Sequence, residues 1–171
     1  MRVLLALTAL LAFVAAAPTE PQSSGQVAAV NSETDFCFFL PPEAGGDIAT
    51  HEDDAIAFCT KDLADAPNAR VFPDGFIQSA HFVKTEGHVQ VTGTIDISKY
   101  QLSGNDEGGQ YDIKAPVGAS CAGYDDFVNL VEPKNGVYCI RCCNDGECDV
   151  SRSTQGCEAI VPGDYSGPTG N

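Results

Sequence analysis

Tryptophan is absent from the 171 residues, and cations are scarce: nine Lys and Arg stand against 24 Asp and Glu, giving a net charge of −15. No basic cluster offsets this charge, so we expect neither nucleic acid nor an anionic membrane surface as a partner. Beyond residue 17, no apolar run approaches the roughly 18 residues of a membrane span. We therefore expect the mature chain to be soluble, and we expect it to be a monomer.

Signatures of catalysis are also missing. There is no G-x-S-x-G stretch for a serine nucleophile. A carboxylate pair for glycoside hydrolysis is not excluded, because 24 acidic residues offer some suitable pair in any fold. We expect a non-catalytic protein, and the alternative is a small secreted carbohydrate-active hydrolase that uses paired carboxylates.

The N-terminus has the order of a secretory signal peptide. Arg2 precedes an apolar run from Val3 to Val14, and Ala15 to Ala17 supply small residues for cleavage. The sequence predicts four parts: a signal peptide over 1–17, a disordered leader over 18–34, a single disulfide-rich β domain over 35–165 and a flexible tail over 166–171. We expect a secreted, extracellular protein.

Eight cysteines follow the signal. They are Cys37, Cys59, Cys121, Cys139, Cys142, Cys143, Cys148 and Cys157. An even number in an exported chain predicts four disulfides, since an oxidising compartment removes free thiolates. The C-x-x-C spacing of Cys139 and Cys142 leaves a zinc site or a redox site as alternatives. Adjacent Cys142 and Cys143 should bond to different partners, but the spacing does not reveal the pairing.

A β-hairpin is the clearest local structure. Residues 88–97 alternate apolar and polar, and Glu86-Gly87 supplies a two-residue turn. This turn would pair Thr85 with His88, His81 with Thr92 and, farther out, Phe76 with Ile97. The polar face would then be an exposed hydrogen-bonding platform, for example for a glycan, formed by Thr85, His88, Gln90, Thr92, Thr94 and Asp96.

The remaining segments indicate the fold class. Strands are predicted in DFCFFLP, AIAFCT, GVYCIRCC and CEAIVP, and a short helix in YDDFVNLVEP, residues 124–133, ending at Pro133. Together they predict a mostly β protein: a compact antiparallel β sandwich or small barrel with one short helix, held by disulfides.

No cofactor is expected, although two acidic stretches leave bound calcium as an alternative. Residues 51–54 read HEDD, and the Gly-rich stretch 103–112 carries Asp106, Glu107 and Asp112. Oxygen-rich loops suit calcium, but neither stretch has the spacing of a calcium-binding EF-hand loop. His81 and His88 share the polar face about 13 Å apart, at roughly 3.3 Å per residue, which is too far for one metal. We expect no metal site.

Five stretches resemble a group of small secreted cysteine-rich fungal proteins with no assigned activity. They are DFCFFLPP, HVQVTGTID, GGQYD, CIRCC and VPGDY, spread over residues 35–165. The resemblance implies a fungal origin and an extracellular life. It favours an effector-like protein that interacts with an extracellular surface, a glycan or a host protein. The lack of tryptophan makes a glycan a less favoured partner, because sugar rings commonly stack on that side chain.

Overall fold

A computed structural model describes residues 25–144, 146–152 and 154–168. The strands are β1 (Val27–Ala28), β2 (Cys37–Leu40), β3 (Ile56–Cys59), β4 (Arg70–Val71), β5 (His81–Lys84), β6 (His88–Thr94), β7 (Gly109–Asp112), β8 (Ser120–Cys121), β9 (Asp126–Glu132) and β10 (Val137–Cys143). The helix α1 spans Gly156–Ile160, and two 3-10 turns span Ile97–Tyr100 and Pro133–Asn135.

The strands form three sheets. The largest has five antiparallel strands in the order β5-β6-β10-β9-β7. A three-stranded sheet, β2-β3-β4, carries β2 and β3 antiparallel and β4 parallel, and β1 pairs in parallel with β8. The predicted class, mostly β with one short helix and four disulfides, is confirmed.

An aromatic core joins the two larger sheets. The ring centroids of Phe38 and Tyr138 lie 4.6 Å apart, and those of Phe39 and Phe127 lie 5.0 Å apart. Both pairs join β2 to the five-stranded sheet, and all four rings are fully buried. Side chains of two facing sheets interdigitate here as in a sandwich, and this burial is the main stabilising contribution to the fold.

The opposite face of the five-stranded sheet is also covered. Val128, Leu130 and Cys139 pack there in a second apolar cluster with Ile160 and Val161 from the end of the chain. The helix α1 is bonded to the central strand β10 through Cys139 and Cys157. The sheet is therefore buried on both faces, which places the C-terminal segment directly against it.

All eight cysteines are paired. The bonds are Cys37–Cys59, Cys121–Cys142, Cys139–Cys157 and Cys143–Cys148. Four disulfides are confirmed, as are separate partners for the adjacent Cys142 and Cys143. The zinc and redox alternatives for the C-x-x-C pair are wrong, because its two thiols are consumed by bonds to different elements. One bond joins β2 to β3, and the others tie β8, α1 and the loop after β10 to β10.

The helix predicted over residues 124–133 is wrong. Residues 126–132 form β9, with Phe127, Leu130 and Val131 among its five consecutive buried residues. A strand buried on both faces shows no polar–apolar alternation, so its apolar residues can fall at helical spacing by coincidence. The missing alternation, rather than helix propensity, produced the error.

The strand predicted in CEAIVP is also wrong. This stretch contains α1, which runs from Gly156 to Ile160. Cys157, Ile160 and Val161 are buried against the sheet at helical spacing. The disulfide and this packing stabilise a helix of one turn that local preference alone does not specify.

The folded domain begins before residue 35. Within the predicted leader, Val27 and Ala28 form β1, and the side chain of Gln26 accepts a hydrogen bond from the N–H of Ala57 at 3.1 Å. The prediction of disorder is therefore wrong for residues 25–34. Its polar composition hid the short apolar run 27–30, which is largely buried beside β3 and β8. The predicted signal peptide, residues 1–17, lies outside the described residues.

The hairpin has the predicted register near its turn. His81 pairs with Thr92, and the N–H of Thr85 donates to the carbonyl of His88. Farther out, the predicted pairing of Phe76 with Ile97 is wrong. The N–H groups of Gln78 and Ser79 both donate to the carbonyl of Thr94, which is a β-bulge, so the register shifts by one residue.

Candidate functional site

The polar face of the hairpin is not a continuous exposed platform. Gln90 and Thr92, at its centre, are 2% and 1% exposed. They are covered by residues 162–166, which follow α1 and which we call the C-terminal strap. The expectation that these two side chains face solvent is wrong, because the alternation within the hairpin carries no information about the later segment that covers it.

Side chains of the hairpin hold the strap through its main-chain carbonyls. Gln90 Nε2 donates to the oxygen of Pro162 at 3.0 Å, and Thr92 Oγ1 donates to that of Asp164 at 2.6 Å. Ser79 Oγ and His81 Nε2 lie 2.7 and 3.1 Å from the oxygen of Ser166. These side chains therefore contact alternate residues of the strap, which bends at Gly163.

The other predicted face residues occupy two different places. Thr85 and His88 lie at the hairpin turn, where His88 Nδ1 is 2.8 Å from a carboxylate oxygen of Glu147. Asp96 caps the 3-10 turn Ile97–Tyr100, and hydrogen bonds from the hydroxyl and N–H of Ser98 lower its pKa. Thr85, His88 and Asp96 therefore do not contribute to the surface that the strap covers.

Thr94 remains with the central residues. Its hydroxyl lies 2.8 Å from Ser79 Oγ, next to the strap. The set of six residues is therefore split: Gln90, Thr92 and Thr94 lie together, Thr85 and His88 lie at the turn, and Asp96 caps a helix. Sequence reasoning placed His81 on the polar face but left it out of the binding set, and it missed Ser79, which lies just before β5.

Arg141 is a further residue that the sequence did not indicate. Its Nε and Nη2 donate to Gln90 Oε1 at 2.9 and 2.7 Å. Arg141 is directly opposite Gln90 in the pairing of β10 with β6. Knowledge of that strand pairing would have identified it, but periodicity within either strand could not.

A second surface is an acidic groove of about 540 Å³ beside β7 and β9. Its polar lining includes Glu52, Glu107, Glu132, Lys134, Asn135 and Gln155. None of the described residues that line it is aromatic. The groove therefore presents chiefly carboxylate and amide groups.

Asp106 positions the two acidic stretches side by side. Its carboxylate accepts the N–H of Ile48 at 2.9 Å and that of Gly108 at 2.8 Å. The first contact fixes the turn that leads to Glu52, and the second fixes the loop that carries Glu107. The sequence offered these stretches as separate calcium candidates, whereas the structure makes them two walls of one groove.

Two groove carboxylates are bonded to donors of the protein itself. Glu107 accepts from Lys134 Nζ at 2.6 Å, and this hydrogen bond lowers the pKa of Glu107. Glu132 accepts the N–H of Cys157 with one oxygen and Asn135 Nδ2 with the other. The first contact favours the charged form of Glu107, and the other two fix the position of the Glu132 side chain.

Metal coordination finds no support in the described residues: among residues 25–144, 146–152 and 154–168, no three His, Cys, Asp or Glu side chains are grouped to hold an ion. The carboxylates of Asp47 and Asp54, in and just before the first acidic stretch, have local partners instead. Asp47 accepts the N–H and hydroxyl of Thr50, and His51 Nδ1 lies 2.8 Å from Asp54. Within the same residues, no helix has the length and apolar character to cross a membrane.

The fold and its two surfaces define a class of protein: a disulfide-bonded, mostly β domain with a covered polar hairpin and an acidic groove. The chain is similar to two curated fungal proteins of Mycosarcoma maydis. It is 31% identical to Appressorium protein ROW1 over 163 residues, and 34% identical to Appressorium protein ROW2 over 146 residues.

These alignments cover 84% and 77% of the present chain. The chain spans 38% of ROW1 and 49% of ROW2, so each relative is at least twice as long as the shared region. No protein-family model matches the chain, and no solved structure matches it. The fungal character of the resemblance agrees with these relatives.

Proposed function

We propose that this protein works outside the fungal cell as a non-catalytic, effector-like protein that contacts an extracellular surface. Two observations support the location. Four disulfides are typical of oxidising compartments. Both relatives are named for the appressorium, a fungal infection structure.

The state of the groove carboxylates carries the non-catalytic part of the proposal. Glu107 has a lowered pKa beside Lys134, and Glu132 is occupied by two hydrogen bonds that hold α1 and the turn after β9. A general acid in glycoside hydrolysis needs a raised pKa and an available proton. The groove therefore favours binding over the hydrolase alternative.

The lining indicates the chemistry of the partner. Glu52, Glu107 and Glu132 outnumber the single cation Lys134. A surface of this kind attracts groups that carry positive charge or donate hydrogen bonds, and it repels anions. The partner would be a cationic or donor-rich patch of a host protein or of a wall glycan.

Binding to wall and host-surface preparations tests the proposal. We expect the secreted protein to co-sediment with at least one of them. Glu52→Gln with Glu107→Gln should weaken that binding roughly tenfold, which corresponds to about 1.4 kcal/mol. Asp62→Asn with Asp74→Asn is the matched control, since it removes the same charge from exposed residues outside the groove.

Equal binding by both double variants would contradict the role of the groove. Release of reducing sugar from the same wall material by the wild-type protein would contradict the non-catalytic role. Retention of the tagged protein inside the cell would contradict the location.

A further inference from the structure

We infer that the polar face of the β5–β6 hairpin is a recognition surface for a peptide that bends at a glycine, and that the C-terminal strap occupies it as an internal ligand. The surface consists of the side chains that bond the strap: Ser79, His81, Gln90 and Thr92. This inference does not depend on the acidic groove or on its partner.

The hydrogen-bonding pattern is that of peptide recognition. The strap's carbonyls at residues 162, 164 and 166 each meet a side chain of the hairpin, at 3.0, 2.6 and 2.7 Å. The chain bends at Gly163, and the three carbonyls on the two sides of this bend all meet the hairpin. Because the acceptors are main-chain oxygens, other segments that bend at a glycine in the same way offer the same groups.

Gly163 gives the surface its selectivity. A Cβ at this position would lie 2.8 Å from both Cγ2 and Oγ1 of Thr92, and 3.2 Å from Gln90 Nε2. Real side chains do not approach that closely, so a larger residue would lift the segment off the hairpin. The partner is therefore a peptide that bends at a glycine between its first two engaged carbonyls.

The surface is organised independently of its occupant. Arg141 donates twice to Gln90 Oε1, which turns Gln90 Nε2 toward the strap. Thr94 holds Ser79 Oγ in place, because the hydroxyl of Thr94 lies within hydrogen-bonding distance of it and the N–H of Thr94 donates to it. Donors held in place in this way lose little freedom when a peptide binds.

The strap reaches the apolar interior through one side chain, that of Tyr165, which packs against the second apolar cluster. Pro162, Gly163, Asp164 and Ser166 are all exposed, and only Tyr165 is partly buried. The hydroxyl of Tyr165 bonds the carbonyl of Val161 in its own segment rather than the hairpin. A competing peptide of the same sequence can replace both the hydrogen bonds to the hairpin and the packing of the tyrosine, while α1 stays bonded to β10.

Titration with a labelled peptide of residues 160–168, IVPGDYSGP, tests the inference on the full-length chain. Gly163→Val should displace the strap, and we expect this variant to bind the peptide at least tenfold more tightly than the wild type. Adding Thr92→Val to Gly163→Val should remove that gain. A peptide that carries valine in place of its glycine should not bind either protein.

If Gly163→Val forms its four disulfides but binds the peptide no more tightly than the wild type does, the inference is overturned. If the variant does not fold, wild-type protein labelled with ¹⁵N decides the question. Excess peptide should shift the side-chain amide signal of Gln90, whereas an unchanged signal at saturating peptide would overturn the proposal.

Discussion

Asn129 Oδ1 accepts a hydrogen bond from the main-chain N–H of Phe39 at 2.8 Å, across the interface between the two larger sheets. Its Nδ2 donates to the carbonyl of Cys139 at 3.0 Å on the neighbouring strand. Asn129 is fully buried in an otherwise apolar layer. One amide therefore satisfies main-chain groups of both β2 and β10, and it fixes how the sheets are placed relative to each other.

Replacement of this amide should destabilise the domain strongly. Asn129→Ala leaves the N–H of Phe39 without this acceptor and the carbonyl of Cys139 without this donor. Each buried group left unsatisfied costs about 1–3 kcal/mol. Chemical denaturation measures the loss, and Asn68→Ala, at an exposed position, is the control. A loss as small as that of the control would contradict the bridging role.

Mass spectrometry tests the cysteine pairing directly. Without reductant, the intact protein should be eight hydrogens lighter than the reduced protein, because four disulfides form. Peptide mapping should recover Cys139 linked to Cys157 and Cys143 linked to Cys148. Alkylation of two or more thiols in the unreduced protein would show that the pairing is incomplete.

Gly108 should be intolerant of even a methyl group. Its φ is +98°, and a Cβ would lie 2.1 Å from the carbonyl oxygen of Val131 on β9. Gly108→Ala should therefore incur about 1–2 kcal/mol of backbone strain and a further 1–3 kcal/mol, roughly, of overpacking.

Gly123→Ala isolates the contribution of the close contact. Gly123 has a similar φ of +79°, but nothing lies within 4 Å of the added Cβ. Both variants should show the strain, and only Gly108→Ala should show the additional loss in thermal denaturation. Equal losses would mean that the loop moves away from β9 at no cost.

Asp126 should make stability depend on pH. Burial raises its pKa above the ordinary value of 3.8, and nearby Asp112 adds to this. The folded protein therefore binds more protons than the unfolded chain in the window above pH 3.8. The free energy of unfolding should fall as pH rises through that window, up to the raised pKa.

Asp126→Asn removes this dependence and can still accept the N–H of Phe127, as Asp126 does at 2.7 Å. We expect the variant to gain stability relative to the wild type at pH 7 but not at pH 3. Asp125→Asn, at the exposed neighbouring position, is the control. A stability difference between Asp126→Asn and wild type that is independent of pH would contradict the assignment.

The sequence predicted those parts of the fold in which local pattern and environment agree. The hairpin is an example, since its two-residue turn fixes the register in which His81 pairs with Thr92. Strand β9 is the opposite case, because burial on both faces removes the alternation that distinguishes a strand from a helix. The pairing of the cysteines depends on contacts between distant segments, so no local spacing could reveal it.

The candidate site was less predictable for a related reason. The alternation of β6 correctly placed Gln90 and Thr92 on one face. The segment that covers this face, however, lies 72 residues later in the sequence than the side chains to which it is bonded. The strap contains Pro, Gly and Ser, a composition typical of a disordered tail. Its order comes from the hairpin side chains that bond its carbonyls.

The bond between Cys139 and Cys157 anchors α1 to the centre of the sheet, and only four residues separate Cys157 from Pro162. A displaced strap would therefore stay tethered beside the hairpin at an effective concentration on the order of millimolar. An external peptide must compete with this internal ligand at every moment. Reduction of this single disulfide would lengthen the tether, lower the local concentration of the strap and make the same surface easier for a partner to bind.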